Sequence, residues 1–461
     1  MANNPKNLAS PDKENVWDVL PGLEKPIYSI DERPATRWES WLYGWQHTLV
    51  DISPFVLPLA VAAAMGMGRT AQAELINFCL FAMGIATLLQ TTIGNRLPII
   101  QGPSATLTAT LAPVAAQMGA AAMWGGILVG GLAEMLIGAS RMLKFLRRFF
   151  PPLVSGVVII CIGLALGQVA VRLLVGDGSA VNFGFGGGVI ALIFLLQIRF
   201  PHLLNGVMGR GAIFIAIWVV GIGIAGVLGE VNWELVAQKP WFGWPQFFPY
   251  GGPGFGWEFV LPAILAIMAG YLGSMVESLG DYAATCAVAG ETYRAQHMNR
   301  GIFAEGLGCV VAAVFGGLPC TSYTQNIGII ATTRVASRFV VQIAAVILML
   351  YGLCPKFGAL LVAMPRSVLG GVFVLVCGMI VLSGIRLLAA APADNPNAFL
   401  IGTTLICANG IPLYAQFGLG KAWLETVPLT LRLLLTNQVV LGVVLAVGLN
   451  VLLNMVLARD G

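Results

Sequence analysis

Residues 317–334 read GLPCTSYTQNIGIIATTR, and this stretch decides the fold. A Leu-Pro pair comes early, followed by a few residues that suit a β-strand, then small and polar residues, and then a helical run. Because proline disfavours helix in the residue before it, this order predicts an extended stretch that leads into a half-length helix. The sequence RLPIIQGPSATLTA, residues 96–109, repeats the order in the first half of the chain. The two stretches indicate an internal repeat with one broken segment in each half.

The composition excludes a soluble protein. Hydrophobic residues make up 57% of the 461 residues and charged residues only 10%, whereas soluble domains carry about 25% charge. A surface that faces water cannot be built from so few ionisable groups, so we expect an all-α polytopic membrane protein. The net charge of +4 is too small to indicate a nucleic-acid partner. The eight cysteines form no CxxC pair, so we expect them to be packing residues, with no metal site and no cofactor.

Long apolar runs predict the membrane spans, since a span needs about 20 apolar residues. We count fourteen runs, near 46–66, 73–94, 98–118, 122–140, 152–174, 187–200, 211–229, 258–283, 301–317, 319–337, 339–353, 368–390, 398–416 and 437–457. Arginine and lysine favour the cytoplasmic side of short loops. With residues 1–40 inside as a polar tail, most arginines fall inside, whereas Arg69, Lys356 and the aromatic loop 230–257 fall outside. We therefore expect a multi-pass protein of a plasma membrane, the inner membrane in a bacterium, with both termini cytoplasmic.

The broken segments are candidates for a binding site. Irregular backbone at membrane depth is tolerated only where protein buries it or where it lines a cavity, so its free N–H and C=O groups can serve a polar ligand. Broken segments at matching places in two halves are typical of transporters, and the start of each half-helix adds a positive dipole end. A pair of proline kinks in ordinary spans is the alternative, because proline and glycine are common in membrane helices.

Two carboxylates inside one apolar run indicate a functional site. Glu277 and Asp281 lie four residues apart in GSMVESLGDYAATCAVAGE, residues 273–291, and so share one face of a helix. A carboxylate near the bilayer centre costs about 2.5–3.5 kcal/mol, so such residues are functional by default. Pairing with lysine or arginine would be a structural explanation, but the nearby runs offer few bases.

Two further ionisable residues have strong structural alternatives. Glu305 lies near the start of its run and close to Arg300, where it could be a satisfied interfacial acid. His47 lies early in the first run and could be a hydrogen-bonded structural histidine. Asp51 follows His47 by four residues, so the two side chains could also bond to each other, either as a structural pair or in a proton path.

Four motifs, in order along the chain, resemble the nucleobase–ascorbate transporter family, also called nucleobase:cation symporter 2. Gln325, Asn326, Gly328, Thr333 and Arg334 match that family's signature, Q/E/P-N-x-G-x-x-x-x-T-R/K/G. The other three are Gln46-His47 in the first run, Leu97-Pro98 with Gln101-Gly102 in the third, and Glu277, Gly280, Asp281, Ala284 and Thr285 in the eighth. The resemblance runs from residue 41 to residue 457.

The resemblance implies a 7+7 inverted repeat of fourteen transmembrane segments, with short strands in the broken segments 3 and 10. A core domain would hold spans 1–4 and 8–11, which are residues 41–150 and 258–365 here. A gate domain would hold spans 5–7 and 12–14, which are residues 151–257 and 366–461. Members are usually homodimers joined through the gate domains, and the core would move against the gate as a largely rigid body. The substrate would sit between segments 3 and 10, facing segment 8.

The resemblance also implies roles for single residues. Glu277 would accept hydrogen bonds from ring N–H groups of a base, and Gln325 would donate and accept at the far edge of the ring. The other implied site residues are backbone groups of Gly102, Pro103, Ser104, Tyr323 and Thr324, then Asp281, Glu305 and His47 as support or proton relay, and Asn326, Gly328, Thr333 and Arg334 in the tenth segment. Family members often carry a stacking aromatic after the serine, where this chain has Ala105. The pocket is then roomier, or another aromatic such as Tyr323 stacks on the base.

Position 325 indicates the substrate class. In the family, glutamine there accompanies purines such as xanthine and urate, glutamate accompanies uracil, and proline accompanies ascorbate. We therefore expect a secondary active transporter that couples purine uptake to protons. The alternatives are a uracil:proton symporter, a sodium-coupled carrier and an anion carrier of the same architecture, which would need bases rather than acids at the half-helix starts. An intramembrane enzyme is not expected, because the sequence has no HExxH or GxSxG motif.

Overall fold

The computed structural model describes residues 25–50, 53–143, 149, 151–176, 178–200, 212–247, 256–389 and 394–456. Most of these residues are helical, because a chain in lipid must satisfy its backbone N–H and C=O groups within its own segments. Asp51, the predicted partner of His47, lies outside the described residues.

The first half of the chain contains one short strand among helices. Its elements are α1 (Arg37–Val50), α2 (Ser53–Ala64), α3 (Arg69–Thr92), β1 (Gln101–Pro103), α4 (Ala105–Met118), α5 (Ala120–Ser140), α6 (Pro152–Val175), α7 (Ala180–Phe194), α8 (Ala212–Val227) and α9 (Trp233–Ala237). Helix α7 continues as the π-helical turn Leu195–Arg199, and Ile217–Ile224 within α8 is also π-helical.

The second half repeats this arrangement of a short strand followed by a short helix. Its elements are α10 (Leu261–Ala289), α11 (Ala295–Val314), β2 (Cys320–Ser322), α12 (Thr324–Thr333), α13 (Arg338–Gly352), α14 (Pro355–Ala363), α15 (Arg366–Ala389), α16 (Asn395–Tyr414), α17 (Gly418–Glu425), α18 (Leu429–Thr436) and α19 (Gln438–Asn450). Helix α19 continues as the π-helical turn Val451–Val456.

Each of the fourteen apolar runs coincides with a helix or with a strand followed by a helix. Among the described residues, eight helices are long and apolar enough to cross a membrane, when α1 and α2 are taken as one. The pair α13 and α14, bent by 75°, raises that number to nine. Helices α4 and α12 are short because a strand precedes each of them. The chain is thus a polytopic helical membrane protein, and the number of fourteen spans stays a prediction.

The two strands predicted in the broken segments pair with each other. They form a two-stranded antiparallel ladder in which Gly102 stands opposite Thr321. Helix α3 holds β1 in place, since the Thr87 hydroxyl donates to the Gln101 carbonyl at 3.1 Å. Because the strands are antiparallel, α4 and α12 leave the ladder in opposite directions. The internal repeat of the sequence therefore becomes one structural unit that both halves build together.

Close helix packing supports this unit. Helices α5 and α11 approach so closely that a β-carbon on Gly131 would lie 3.0 Å from the Gly306 carbonyl oxygen. Small residues allow such contacts between membrane helices, where dispersion forces and shape complementarity drive association. Helix α11 is thereby fixed behind β2, and α10 packs in front of both half-helices.

Candidate functional site

Helix α10 presents two acids to the two broken segments. Glu277, which is half-buried, accepts a hydrogen bond from Thr106 Oγ1 in the first turn of α4 at 2.8 Å. One turn further along α10, Asp281 accepts from Thr324 Oγ1 at the start of α12 at 2.7 Å. Within the described part of the chain, neither acid forms an ion pair. A salt bridge therefore does not explain these acids, and they connect α10 with both half-helices.

The two half-helices begin differently. Ser104 caps α4, because its Oγ accepts the Leu107 N–H at 3.2 Å, and the same oxygen lies 3.3 Å from Ser274 Oγ on α10. At the start of α12, Tyr323 makes no side-chain cap hydrogen bond. The first N–H groups of a helix have no partner within the helix, and they carry the positive end of its dipole. The start of α12 can therefore receive an acceptor atom of a ligand.

Gly102 is required where β1 meets the ring of Tyr323. A β-carbon on Gly102 would lie 2.6 Å from Tyr323 Cζ, a distance that real side chains do not adopt. The Tyr323 hydroxyl donates to the Pro103 carbonyl at 3.1 Å, and the side chain is only 5% exposed. The ring therefore packs across β1, and little of its aromatic surface remains for stacking on a base.

Two of the backbone N–H groups that the resemblance assigns to substrate binding are already hydrogen-bonded between the two broken segments. The Ser104 N–H donates to the Pro319 carbonyl at 2.9 Å, and the Tyr323 N–H donates to the Ile100 carbonyl at 3.0 Å. Antiparallel pairing satisfies these groups within the protein. A ligand that binds the backbone here would therefore have to use N–H and C=O groups other than these two N–H groups.

The signature residues Gln325 and Asn326 face different surroundings. Gln325 is half-buried, and among the described residues its amide makes no hydrogen bond, so both of its functions are left for a ligand. Asn326 is fully buried, with Nδ2 lying 3.0 Å from His47 Nδ1 and 3.3 Å from the His47 carbonyl oxygen. His47 is thus a hydrogen-bonded partner of α12 and connects α1 with the tenth segment.

Glu305 lies at the junction of α10, α11 and β2. It is fully buried, and it accepts hydrogen bonds from Ser278 at 2.7 Å and Tyr282 at 2.8 Å. Thr321 and Ser322 on β2 add longer contacts of 3.4 and 3.3 Å. The alternative of a satisfied interfacial acid beside Arg300 is therefore wrong, because its partners are interior hydroxyl groups. The carboxyl group of Glu305 thus connects α10 and α11 with β2 through hydroxyl groups.

Small exposed residues lie beside the acids on α10 and α12. Gly280 and Ala284 on α10 are exposed, and so are Thr324 and Gly328 on α12. A β-carbon added to Gly280 or Gly328 would meet no atom within 4 Å. Asp281 itself is only 5% exposed, so small exposed residues flank a buried acid at the Asp281–Thr324 contact.

The end of the signature shapes the end of α12. The Thr333 hydroxyl donates to the Ile329 carbonyl at 2.8 Å. Arg334 ends the helix in the left-handed region with φ 59°, and its carbonyl accepts the Ile27 N–H at 2.7 Å. Both residues lie ten or so positions from the ladder, so they support the segment from its far end.

Several polar partners of the site were not among the predicted residues. Thr106 binds Glu277, Ser274 contacts Ser104, and Ser278 with Tyr282 binds Glu305. The hydroxyl residues 274, 278 and 282 repeat every four positions on α10, one position after 273, 277 and 281. That spacing places them on a face next to the acids, and it is the signal that could have identified them.

The comparisons with known proteins identify the family. Residues 39–417 match the family model Xan_ur_permease, described as "Permease family". The chain belongs to this family. It is thus a nucleobase–ascorbate transporter family member, as the four motifs predicted, and a transporter rather than an enzyme.

Relatives of this permease carry names that state their cargo. It is 32% identical over 398 residues to the uric acid permease PucK of Bacillus subtilis strain 168, covering 84% of this chain and 87% of the relative. It is 30% identical over 449 residues to the uric acid transporter UacT of Escherichia coli K12, covering 94% and 89%. The xanthine permease XanQ of the same strain is also 30% identical over 449 residues, with 93% coverage of each chain.

Solved structures share the fold of the permease. The transmembrane domain of the cyanobacterial bicarbonate transporter BicA matches with a TM-score of 0.56 at 15% identity, covering 91% of this chain and 99% of that one. The structure of SLC26A9 matches with a TM-score of 0.59 at 13% identity, covering 90% and 65%. At such low identity these matches carry the fold alone.

Proposed function

We propose that this permease is a secondary active transporter that takes up a purine, such as xanthine or urate, together with protons. Relatives that cover most of the chain are named for uric acid or xanthine. Gln325 adds support, because glutamine at this signature position accompanies purines in the family the chain resembles. The uracil carrier remains the second candidate within the same site, and cold uracil in competition with labelled xanthine distinguishes the two.

One observation carries the proposal: α10 places an acid at the start of each half-helix. Glu277 can accept ring N–H groups of a purine, and the free amide of Gln325 can both donate to and accept from its other edge. The uncapped start of α12 can receive a ring carbonyl oxygen. A flat ring with alternating donors and acceptors suits this set of groups.

An anion carrier of the same architecture fits the site less well. The fold resembles that of a bicarbonate transporter, which gives this alternative its basis. However, the ionisable side chains that bond the starts of α4 and α12 in the described part of the chain are Glu277 and Asp281, and no lysine or arginine pairs with them there. An acid at a half-helix start repels an anionic cargo, so a cargo rich in N–H donors is favoured.

We further propose the family's architecture for this chain. The fourteen apolar runs, each coincident with a helix or a strand and helix, support a 7+7 inverted repeat. Residues 41–150 and 258–365 would form the core, and residues 151–257 and 366–461 the gate. A homodimer joined through the gate, both termini in the cytoplasm and a plasma membrane location, the inner membrane in a bacterium, complete the proposal.

In an elevator-like cycle, contacts between the proposed core and the proposed gate would break and form again, and two such contacts lie on the predicted outer side. Lys239, in the outer loop, forms a 2.7 Å ion pair with Glu74 at the start of α3. Lys356, in the first turn of α14, donates to the Val236 carbonyl at 2.9 Å. These contacts join the proposed gate to the proposed core on the predicted outer side. Movement of the core against the gate would break the outer contacts.

Proton coupling would act through the acids of α10 and the adjacent Glu305. A ligand shifts a conformational equilibrium only by its differential affinity for the two states. Protonation in the neighbourhood of Glu277 and binding of the base would jointly favour the change from outward-facing to inward-facing. Since no sodium cage of carboxylates and carbonyls is apparent in the sequence, we favour protons over sodium as the coupling ion.

Uptake into proteoliposomes tests the proposed function. Labelled xanthine or urate should accumulate when the outside is acidic, and Glu277→Gln should abolish accumulation. Glu230→Gln is the matched control, because Glu230 is an exposed acid on the predicted outer side. If a pH gradient does not raise uptake by the native protein, the coupling is refuted. If Glu277→Gln transports as well as Glu230→Gln, the assignment of the site is refuted.

A further inference from the structure

The segment that precedes α1 runs along the linker between α12 and α13. Tyr28 forms a parallel bridge with Val335. The Ile27 N–H donates to the Arg334 carbonyl at 2.7 Å, and the Ala336 N–H donates to the Tyr28 carbonyl at 2.9 Å. This segment therefore adds a short strand to the linker, directly behind the last turn of α12.

Arg338, the first residue of α13, fixes this added strand to another part of the chain. Its backbone N–H donates to the Ile30 carbonyl at 3.0 Å, and its Nε donates to Asp31 at 2.6 Å. Its Nη1 donates to the Thr91 carbonyl in the last turn of α3 at 3.1 Å. The side chain is only 12% exposed and lies over the Phe339 ring at 4.5 Å. One guanidinium thus joins the segment before α1, the end of α3 and the start of α13.

Ile30 contacts the supports of both broken segments. It packs against the apolar cluster that includes Leu97 and Ile99, the residues that lead into β1. It also packs against the cluster that includes Ile330 in α12 and Ala336 in the following linker. A single half-buried side chain therefore packs against two apolar clusters, one of which includes residues that lead into β1 and the other a residue of α12.

We infer that residues 27–32, pinned by Arg338, are a strap that positions the two broken segments and thereby sets the affinity of the site for its base. Helix α12 has only ten residues, which is too short to be stable without tertiary contacts. The ladder holds Tyr323, the residue before it, and the strap holds Arg334, the residue after it. The position of Gln325 in the first turn thus depends on contacts made at both ends of α12.

The contacts differ in how much they contribute to the strap. The side chain of Asp31 is 71% exposed, and exposed ion pairs add little. The Arg338 guanidinium is nearly buried and makes bonds in two directions, which the single ammonium of lysine cannot reproduce. Arg338→Lys should therefore weaken the strap strongly, whereas Asp31→Asn should weaken it little. Ile30→Ala should also weaken it, because the packing under both segments is lost.

Full-length variants in detergent or nanodiscs test the inference. Xanthine binding should weaken about tenfold in Arg338→Lys, by several-fold in Ile30→Ala, and less than twofold in Asp31→Asn. Arg172→Lys is the matched control, because Arg172 is an exposed arginine in the last turn of α6. In uptake assays, the KM for xanthine should rise in Arg338→Lys and Ile30→Ala, while the maximal rate of uptake stays near that of the native protein.

Hydrogen exchange measured without substrate provides an independent readout. Amides of residues 101–103 and 320–333 should exchange faster in Arg338→Lys and Ile30→Ala, and at the native rate in Arg172→Lys. Unchanged exchange and unchanged affinity in both strap variants would overturn the inference. The inference rests on the proposed function for its ligand, but different results refute the two. If the native protein does not bind xanthine, the proposed function is refuted, whereas the hydrogen-exchange rates test the strap without any ligand. If Arg338→Lys does not fold, Ile30→Ala decides.

Discussion

Replacing Thr106 by valine tests how Glu277 is held at the start of α4. The Thr106 hydroxyl donates to Glu277 Oε2 at 2.8 Å, and the residue is 1% exposed. Valine keeps the shape of threonine and removes only the donor. A hydrogen bond to a charged group contributes about 1.5–3 kcal/mol. The bond orients Glu277 before the base binds, so its loss costs binding at most this amount. Since 1.4 kcal/mol is a factor of about ten in affinity, the KM for the purine should rise more than threefold and at most by about 150-fold.

Thr106→Ser is the matched control for this prediction. Serine keeps the donor and removes one methyl group, so its KM should stay within about threefold of the native value. The assay is initial-rate uptake of labelled xanthine into proteoliposomes, with protein orientation and amount matched between variants. If valine and serine give the same KM, the Thr106 bond does not orient the acid, and the reasoning that places the base between Glu277 and α4 is refuted.

Three further perturbations test other parts of the structure. Gly102→Ala should destabilise the protein by about 1–3 kcal/mol in thermal unfolding, because the new methyl group overlaps the Tyr323 ring; an unchanged midpoint would contradict this packing. Glu305→Gln should abolish gradient-driven uptake, because an amide cannot take up or release a coupled proton; the protein should still fold, because the hydroxyl groups that now donate to the carboxylate can rotate to accept from the amide. Native uptake would exclude Glu305 from the coupling. Lys239→Ala and Glu74→Gln should each raise labelling of the protein's outer side by a membrane-impermeant reagent. In the double variant the two effects should not add, because both variants break the same ion pair. Additive effects would show that the ion pair does not hold that side closed.

Much of the architecture was accessible from the sequence because its signals are local. Leu-Pro followed by small polar residues predicted both broken segments, and Gln101–Pro103 and Cys320–Ser322 are indeed strands. Hydropathy located the helices, because a bilayer imposes one length and one composition on every span. The acids Glu277 and Asp281 were predicted from a four-residue spacing that is independent of tertiary structure.

The remaining features depend on contacts between residues that are distant in the sequence. The pairing of β1 with β2 engages backbone groups of Ser104 and Tyr323, which no local pattern indicates. The partners of Glu305 come from α10 and β2, so its role in the interior could not be distinguished from an interfacial position beside Arg300. The strap is equally hidden, because the polar residues before α1 resemble an ordinary tail.

Isothermal titration of xanthine or urate into the purified protein tests the central claim, namely that α10 offers an acid to a purine between the two half-helices. Native protein and Glu230→Gln should bind with equal affinity, whereas Glu277→Gln, with folding verified by its unfolding temperature, should show no measurable heat of binding. Native-like binding by the folded Glu277→Gln variant would contradict the account.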